Sequence, residues 1–286
     1  MRNCRHHGGM EAVEAAVAVA VRNDFAVDEP VMLRSTNNTV AWLSPSALLV
    51  KVSDHESNLL GYELAAGSHL AQAGAPVAAP DPALGDRVHR LNEFSLTFWQ
   101  YLQPDPEPGD LVVLADTLRC FHERAQGFRG LEDGSVHRYD EGINDVRRRL
   151  DDVGFASALS TDERTLICRV IDTVRGSQQS RAESHLVLHG SPHGYNVVWA
   201  GGEATFVDLE SVCVGPIEWD LAYMDPVAAA AYPGTVDVEL LQAFRMLVAG
   251  CVAAWCMEGI NRGPDMEWHA RTHLRNLKRW DARMRS

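Results

Sequence analysis

Two side chains in the segment 187–222 have the chemistry to hold one cation between them. The segment reads V-L-H-G-S-P-H-G-Y-N-V-V-W-A-G-G-E-A-T-F-V-D-L-E-S-V-C-V-G-P-I-E-W-D-L-A. A β-like run ends at His189–Gly190, a polar loop follows, and Asn196 opens the next run. Gly201–Gly202 has the composition of a hairpin turn, and Phe206–Val207 delivers Asp208 at a strand end. An amide at one strand start and a carboxylate at a neighbouring strand end can converge on one ion. Such oxygen donors suit Mg²⁺, which takes one or two protein ligands and leaves other positions to phosphate oxygens. Taken singly, the two residues are more simply a turn asparagine and a loop aspartate.

An amine is the next group of interest. Lys51 and Lys278 are the only lysines among 26 basic residues, and Lys51 lies inside the apolar run A-L-L-V-K-V. Glu63 lies downstream in the helical stretch G-Y-E-L-A-A-G-S-H-L, and Glu56 one seven-residue step before it, so both can sit near one helix face. A surface lysine and a solvated glutamate is the plainer alternative.

These groups need elements to carry them. Met10–Arg22 reads as a helix with Glu11 and Glu14 in its first turn. Three β-like runs follow, Val31–Arg34, Thr39–Leu43 and Ala47–Val52, parted by polar stretches as in an antiparallel meander. Asp54–Ala73 reads as a helix capped by Asp54 and ended by Gly74. Val88–Leu91 and Phe94–Leu102 form a further strand pair around Asn92–Glu93. The breaker cluster Q-P-D-P-E-P-G marks a boundary between a first lobe, 1–102, and a second, 103–286. Helices are expected over 110–126, 141–152, 161–178, 236–259 and 266–284. Between them lies one β-like island, Leu186–Leu188, Val197–Trp199 and Thr205–Val207. That order implies an α+β fold with two lobes, which alone assigns no function.

The segment 187–222 closely resembles the motif of the aminoglycoside phosphotransferases, H-G-D-x-x-x-x-N, a strand ending in Asp, then G-P-x-x-x-D-L-A. His189, Gly190, Asn196, Asp208, Gly215, Pro216, Asp220, Leu221 and Ala222 match in order and spacing. The chain thus resembles the aminoglycoside phosphotransferases and choline kinases, which share the two-lobed protein kinase-like fold. The resemblance implies an ATP- or GTP-dependent transfer of phosphate to a hydroxyl of a small molecule. Asn196 and Asp208 would hold Mg²⁺, and Asp220 would fix the catalytic loop from beneath. Lys51, paired to Glu63, would contact the nucleotide phosphates. Ser35 and Asn38, in the S-T-N-N-T stretch, would lie in the phosphate-covering loop, and Gln100 and Leu102 would meet adenine through their backbone. His189 and Ser191 fall in the catalytic loop. There the chain departs from the family: Ser191 stands where the family keeps its catalytic aspartate. A neutral hydroxyl is no general base unaided, and losing a base typically costs ~10²–10⁴ in rate. A slow or atypical enzyme and a pseudokinase-like binding protein without transfer both follow from that substitution. Glu218, Glu258, Asp265 and Glu267 are candidates for an acceptor site, and a solvated face explains each of them equally.

Composition narrows the partners. The formal net charge of −13 argues against nucleic acid. It is compatible with a cationic substrate, although solubility explains it more simply. Residues 262–286 are basic against an acidic 103–261, so the C-terminal helix is expected to pack on an acidic body. No apolar run reaches about 18 residues, so no membrane span is expected. The six cysteines form no CxxC pair, which favours reduced thiols in the cytoplasm over a disulfide scaffold. Cys4, His6 and His7 have the residue types of a metal site but lie near a terminus.

Overall fold

The computed structural model describes residues 4–35, 38–53, 58–130, 136–152, 154–178, 186–258 and 264–284. Two compact units emerge, one of residues 1–136 with 193–212, the other of 137–192 with 213–286.

The first unit is built on a five-stranded antiparallel sheet in the order β1-β2-β3-β5-β4. Its strands are β1 (Val27–Ser35), β2 (Thr39–Pro45), β3 (Leu48–Ser53), β4 (His89–Leu91) and β5 (Phe94–Gln100). Pro30 lies inside β1, which is tolerable because β1 is an edge strand. Helix α1 (Cys4–Arg22) lays Ala12, Ala16 and Val19 against Ala41, Leu43, Val50, Leu96 and Phe98, forming the core of the unit. The helix begins earlier than Met10, so Glu11 and Glu14 are not in its first turn. The side chains of Cys4, His6 and His7 lie outside the described residues.

On the opposite face sits α2 (Asn58–Gln72). Asp54, the expected cap, and Glu56 lie outside the described residues. Gly67 is where α2 comes closest to the sheet: a Cβ there would stand 2.5 and 2.8 Å from ring carbons of Trp99. That ring is buried and anchored by its Nε1, which donates to Thr97 Oγ1 at 3.0 Å.

Helix α3 (Leu111–Ala125), capped by Asp110, whose Oδ1 accepts from the Val112 amide at 2.8 Å, also belongs to this unit. So does the hairpin β8 (Val197–Ala200) and β9 (Glu203–Phe206). Asp105 holds its turn, accepting from the Gly201 and Gly202 amides at 3.0 and 2.8 Å. Phe206 exchanges backbone bonds with Pro76 and Ala78 at 2.8 and 2.9 Å.

The second unit is mainly helical. It contains α4 (Glu141–Arg149), α5 (Thr161–Gln178), α6 (Ile217–Tyr223), α7 (Pro226–Ala231), α8 (Val238–Glu258) and α9 (Pro264–Met284). Ile143, Val146, Ile167, Ile171, Phe244, Ala253, Leu274 and Leu277 meet in its core. By length and composition α8 could cross a membrane, but 61% of its apolar window is buried. Two basic residues of α9, Lys278 and Arg271, reach Glu163 of α5 at 3.0 and 3.5 Å, while the helix's own Asp281 accepts from Arg169 of α5 at 2.8 Å.

The expected β-like island is two structures. β7 (Leu186–Leu188) pairs with β10 (Cys213–Gly215), which pairs in turn with β6 (His137–Arg138). β8 pairs with β9 alone. Proximity in sequence suggested one sheet, but the loop between β7 and β8 carries the chain from one unit to the other.

Substitution Gly67→Ala tests the close approach of α2. Alanine gains about 1 kcal/mol in helix propensity, whereas overpacking costs about 1–3 kcal/mol. With Trp99 pinned, the clash should win, and the urea midpoint should fall. A raised midpoint would contradict this packing.

Candidate active site

The alternation of β3 separates two kinds of side chain. Val50 and Val52 join the core under α1, so Leu49 and Lys51 turn to the other face, where both line a cavity of about 250 Å³. Lys51 is buried there. Its Nζ donates to Glu63 Oε2 at 2.8 Å, to Asp208 Oδ1 at 2.7 Å and to Glu210 Oε2 at 3.2 Å.

Helix α2 supplies Glu63 and does more than balance charge. The second oxygen of Glu63 accepts from the Leu209 amide at 3.2 Å. The neighbouring Tyr62 hydroxyl donates to the Val212 carbonyl at 2.6 Å. Two consecutive helix residues thus hold the chain that follows Asp208. Asp208 itself adopts φ 64° and ψ 61°, a left-handed conformation that aspartate tolerates better than most residues. Such departures cluster at functional sites. Beside it, the Val207 amide donates to the Asn196 carbonyl at 3.0 Å, placing the start of β8 against the end of β9.

Charge in this cluster is strongly interdependent. Burial opposes the Lys51 charge, but Glu63, Asp208 and Glu210 outweigh it and raise its pKa well above that of ordinary lysine. Burial also opposes ionisation of Asp208, yet Lys51 and Arg34 overcome it and hold the pKa down at about 2. For Glu63 burial prevails, with Asp208 and Glu210 adding repulsion that Lys51 only partly offsets, and the pKa rises to about 7. Of the carboxylates around Lys51, Glu63 therefore takes a proton before Asp208.

The cavity brings together Lys51, Glu63, Asn196, Asp208, Gln100 and Leu102. Leu33, Val40, Leu49, Ala78 and Val198 give it apolar walls. Ser35 and Asn38 stand at the β1–β2 turn and are not among its described lining residues; the Ser35 and Thr39 hydroxyls lie 3.3 Å apart. Thr36 and Asn37 lie outside the described residues. Two charged residues bonded to this cluster, Arg34 on Asp208 and Glu210 on Lys51, were not singled out from the sequence. Arg34 donates to Asp208 Oδ2 at 3.1 Å, and Glu210 lies two residues after Asp208. The D-L-E order was a visible signal for Glu210; for Arg34 there was none beyond its place before the S-T-N-N-T stretch.

His189 and Ser191 belong to the second unit. There the wholly buried Asp220 accepts from the His189 and Gly190 amides at 2.9 and 2.8 Å. Trp219 Nε1 donates to the Gly190 carbonyl at 3.0 Å, and the Ser191 amide to His189 Nδ1 at 3.3 Å. Gly190 has φ 89°, which a side chain would strain. The acceptor-site candidates are scattered in role. Glu218 is buried and accepts from the Asp237 amide at 2.8 Å. Glu258 pairs with Arg149, and Glu267 with Arg271 at 3.7 Å. The Asp265 side chain lies outside the described residues.

Residues 34–255 match the phosphotransferase enzyme family (APH), and the chain belongs to that family. No curated protein sequence matches. Among solved structures the chain is similar to amicoumacin kinase hAmiN in complex with AMP-PNP, Ca²⁺ and Ami. The identity is 12% over 95% of each chain, with a TM-score of 0.68. Choline kinase LicA from Streptococcus pneumoniae is 13% identical over 93% of this chain and 99% of its own, with a TM-score of 0.68. Spectinomycin phosphotransferase APH(9)-Ia, solved with ADP and spectinomycin, is 13% identical over 93% of each chain, with a TM-score of 0.64. At such identities the likeness is one of fold: α+β and protein kinase-like, with an antiparallel N-terminal sheet and a helical C-terminal part.

The charge cluster generates a pH test. A Glu63 pKa raised above 4.5 to about 7 means a contribution to stability that is full below pH 4.5 and lost as pH rises through about 7. Asp208 behaves oppositely: its contribution is present above pH 3.8 and lost as pH falls through about 2. Glu63→Gln removes only the first effect. Urea denaturation from pH 4.5 to 7.5 should therefore show the original protein losing stability relative to Glu63→Gln as pH rises. Parallel curves would contradict the assignment.

Proposed function

We propose that the protein is a nucleotide-dependent kinase that moves the terminal phosphoryl group of ATP or GTP to a hydroxyl of a small molecule. The observation that carries this reading is Lys51, bonded at once to Glu63 and Asp208 in a cavity that Asn196 also lines. In this reading residues 1–102 form the nucleotide-binding lobe and 103–286 the lobe for the acceptor.

The donor set fits a magnesium nucleotide. Asn196 and Asp208 offer an amide and a carboxylate oxygen, the hard ligands Mg²⁺ prefers. Magnesium, when bound, offsets negative charge on the transferring phosphoryl oxygens. Lys51 orients the phosphates, and Glu63 orients Lys51. The apolar walls suit a base. The Gln100 and Tyr101 amides are spent on the Ala79 and Ala47 carbonyls, each at 3.0 Å. By the family resemblance, the backbone of Gln100 and Leu102 is assigned to the base edge. Ser35 and Asn38 are assigned to the covering loop. His189 and Ser191 are assigned to the catalytic loop, where phosphoryl transfer depends mainly on positioning and charge. The acceptor class is a hydroxylated small molecule, with the acidic surface favouring a cationic one. Cys120, Cys168, Cys213, Cys251 and Cys256 are free thiols, which accords with a reducing, cytoplasmic setting.

Ser191 supports a second reading, in which the protein binds nucleotide without transferring phosphate. Incubation with γ-labelled ATP or GTP and a panel of aminoglycosides, choline and related alcohols separates the two. Labelled product is expected at a low rate, rising by about 10²–10⁴ in Ser191→Asp if the aspartate acts as a base there. No product from either protein across the panel would overturn the kinase reading and leave the binding one.

A further inference from the structure

One charged contact in the cavity has no task in this reading. Arg34 donates to Asp208 Oδ2 at 3.1 Å, while Lys51 holds Oδ1 at 2.7 Å. Both oxygens of the carboxylate assigned to magnesium are thus bonded to cations of the chain itself.

The approach of Arg34 is built into β1. The register of β1 on β2 shifts between Met32 and Arg34. Regular alternation would send consecutive side chains to opposite faces, yet Leu33 and Arg34 both line the cavity. Re-aiming a side chain is what such an irregularity does in a strand. The two cations on Asp208 differ in freedom: the Arg34 side chain is 41% exposed and that of Lys51 6%. The lysine is fixed by three carboxylates, whereas the arginine is half in water, where an ion pair is weak and exchangeable. A guanidinium fork matches two phosphate oxygens as well as it matches a carboxylate.

We infer that Arg34 guards Asp208. In the nucleotide-free protein it occupies Oδ2. An incoming nucleoside triphosphate draws the guanidinium onto its phosphate oxygens and frees that oxygen for a divalent cation. Metal alone is then bound poorly, because it must displace a cation from a carboxylate already shared with Lys51. Nucleotide and metal bind with positive coupling, and Arg34 is both the barrier to the one and a ligand for the other. The inference rests on the nucleotide-binding reading of this cavity and adds to it a residue for phosphate and a reason for ordered loading.

The test uses the full chain and Arg34→Ala, a change on an exposed edge strand that leaves the core untouched. Free Mn²⁺ is followed by its paramagnetic resonance signal, first with metal alone and then with AMP-PNP. Arg34→Ala should bind Mn²⁺ alone about fivefold more tightly, the worth of an exposed ion pair. It should bind AMP-PNP with Mn²⁺ about tenfold more weakly, the worth of a charged hydrogen bond. Arg34→Lys should restore the exclusion of metal and only part of the nucleotide affinity. Equal Mn²⁺ affinity in the original protein and Arg34→Ala would overturn the guard. Tighter Mn²⁺ with unchanged AMP-PNP affinity would overturn the transfer to phosphate. A protein that binds neither AMP-PNP nor GMP-PNP with Mn²⁺, in any variant, would sink the nucleotide reading itself and this inference with it.

Discussion

A lysine charge kept away from water constrains everything around it. Desolvating an ammonium group is tolerable only when carboxylates and good hydrogen bonds replace the lost water. Lys51 therefore needs Glu63 from α2 and Asp208 from the end of β9 within bonding distance, and it has both, with Glu210 beside them. Those partners come from elements far apart in sequence. The demand thus fixes where α2 lies on the sheet and where the β8–β9 hairpin ends. Gly67 against Trp99, Tyr62 on the Val212 carbonyl, and Asp105 on the Gly201 and Gly202 amides serve that placement.

The same constraint prepares chemistry. A buried lysine with an excess of carboxylates is a local charge arrangement that an anion and a divalent cation can complete together. The left-handed backbone at Asp208 presents its carboxylate next to Lys51, and the Glu63 bond to the Leu209 amide fixes the residue after it. In the second unit, Asp220 holds the amides of His189 and Gly190. That hold does not use the side chain at position 191.

Much of this was legible in the sequence, for reasons that differ by residue. Lys51 stood out because lysine is rare in the chain and because it interrupts an apolar run. Asn196 and Asp208 were marked by strand ends and by motif spacing, and Glu63 by its match to the helix glutamate that the family resemblance implies. The pairing of β7 with β10 was not legible, since their contact spans a chain passage through the other unit. The early start of α1 was missed because the stretch before Met10 has no helical pattern of its own. Arg34 was hidden by the register shift in β1, which overrides the alternation on which strand reading depends. Gly67 was simply a helix glycine until the Trp99 ring was placed beside it.

In the proposed function, Lys51, Asn196 and Asp208 together seat a metal-bound nucleotide. The decisive measurement is calorimetric titration with AMP-PNP and with GMP-PNP, each with Mg²⁺ and then with the metal chelated. The account predicts saturable binding of one nucleotide per chain that weakens sharply without Mg²⁺ and is lost in Lys51→Met. Binding indifferent to both the metal and Lys51, or no binding at all, would contradict it.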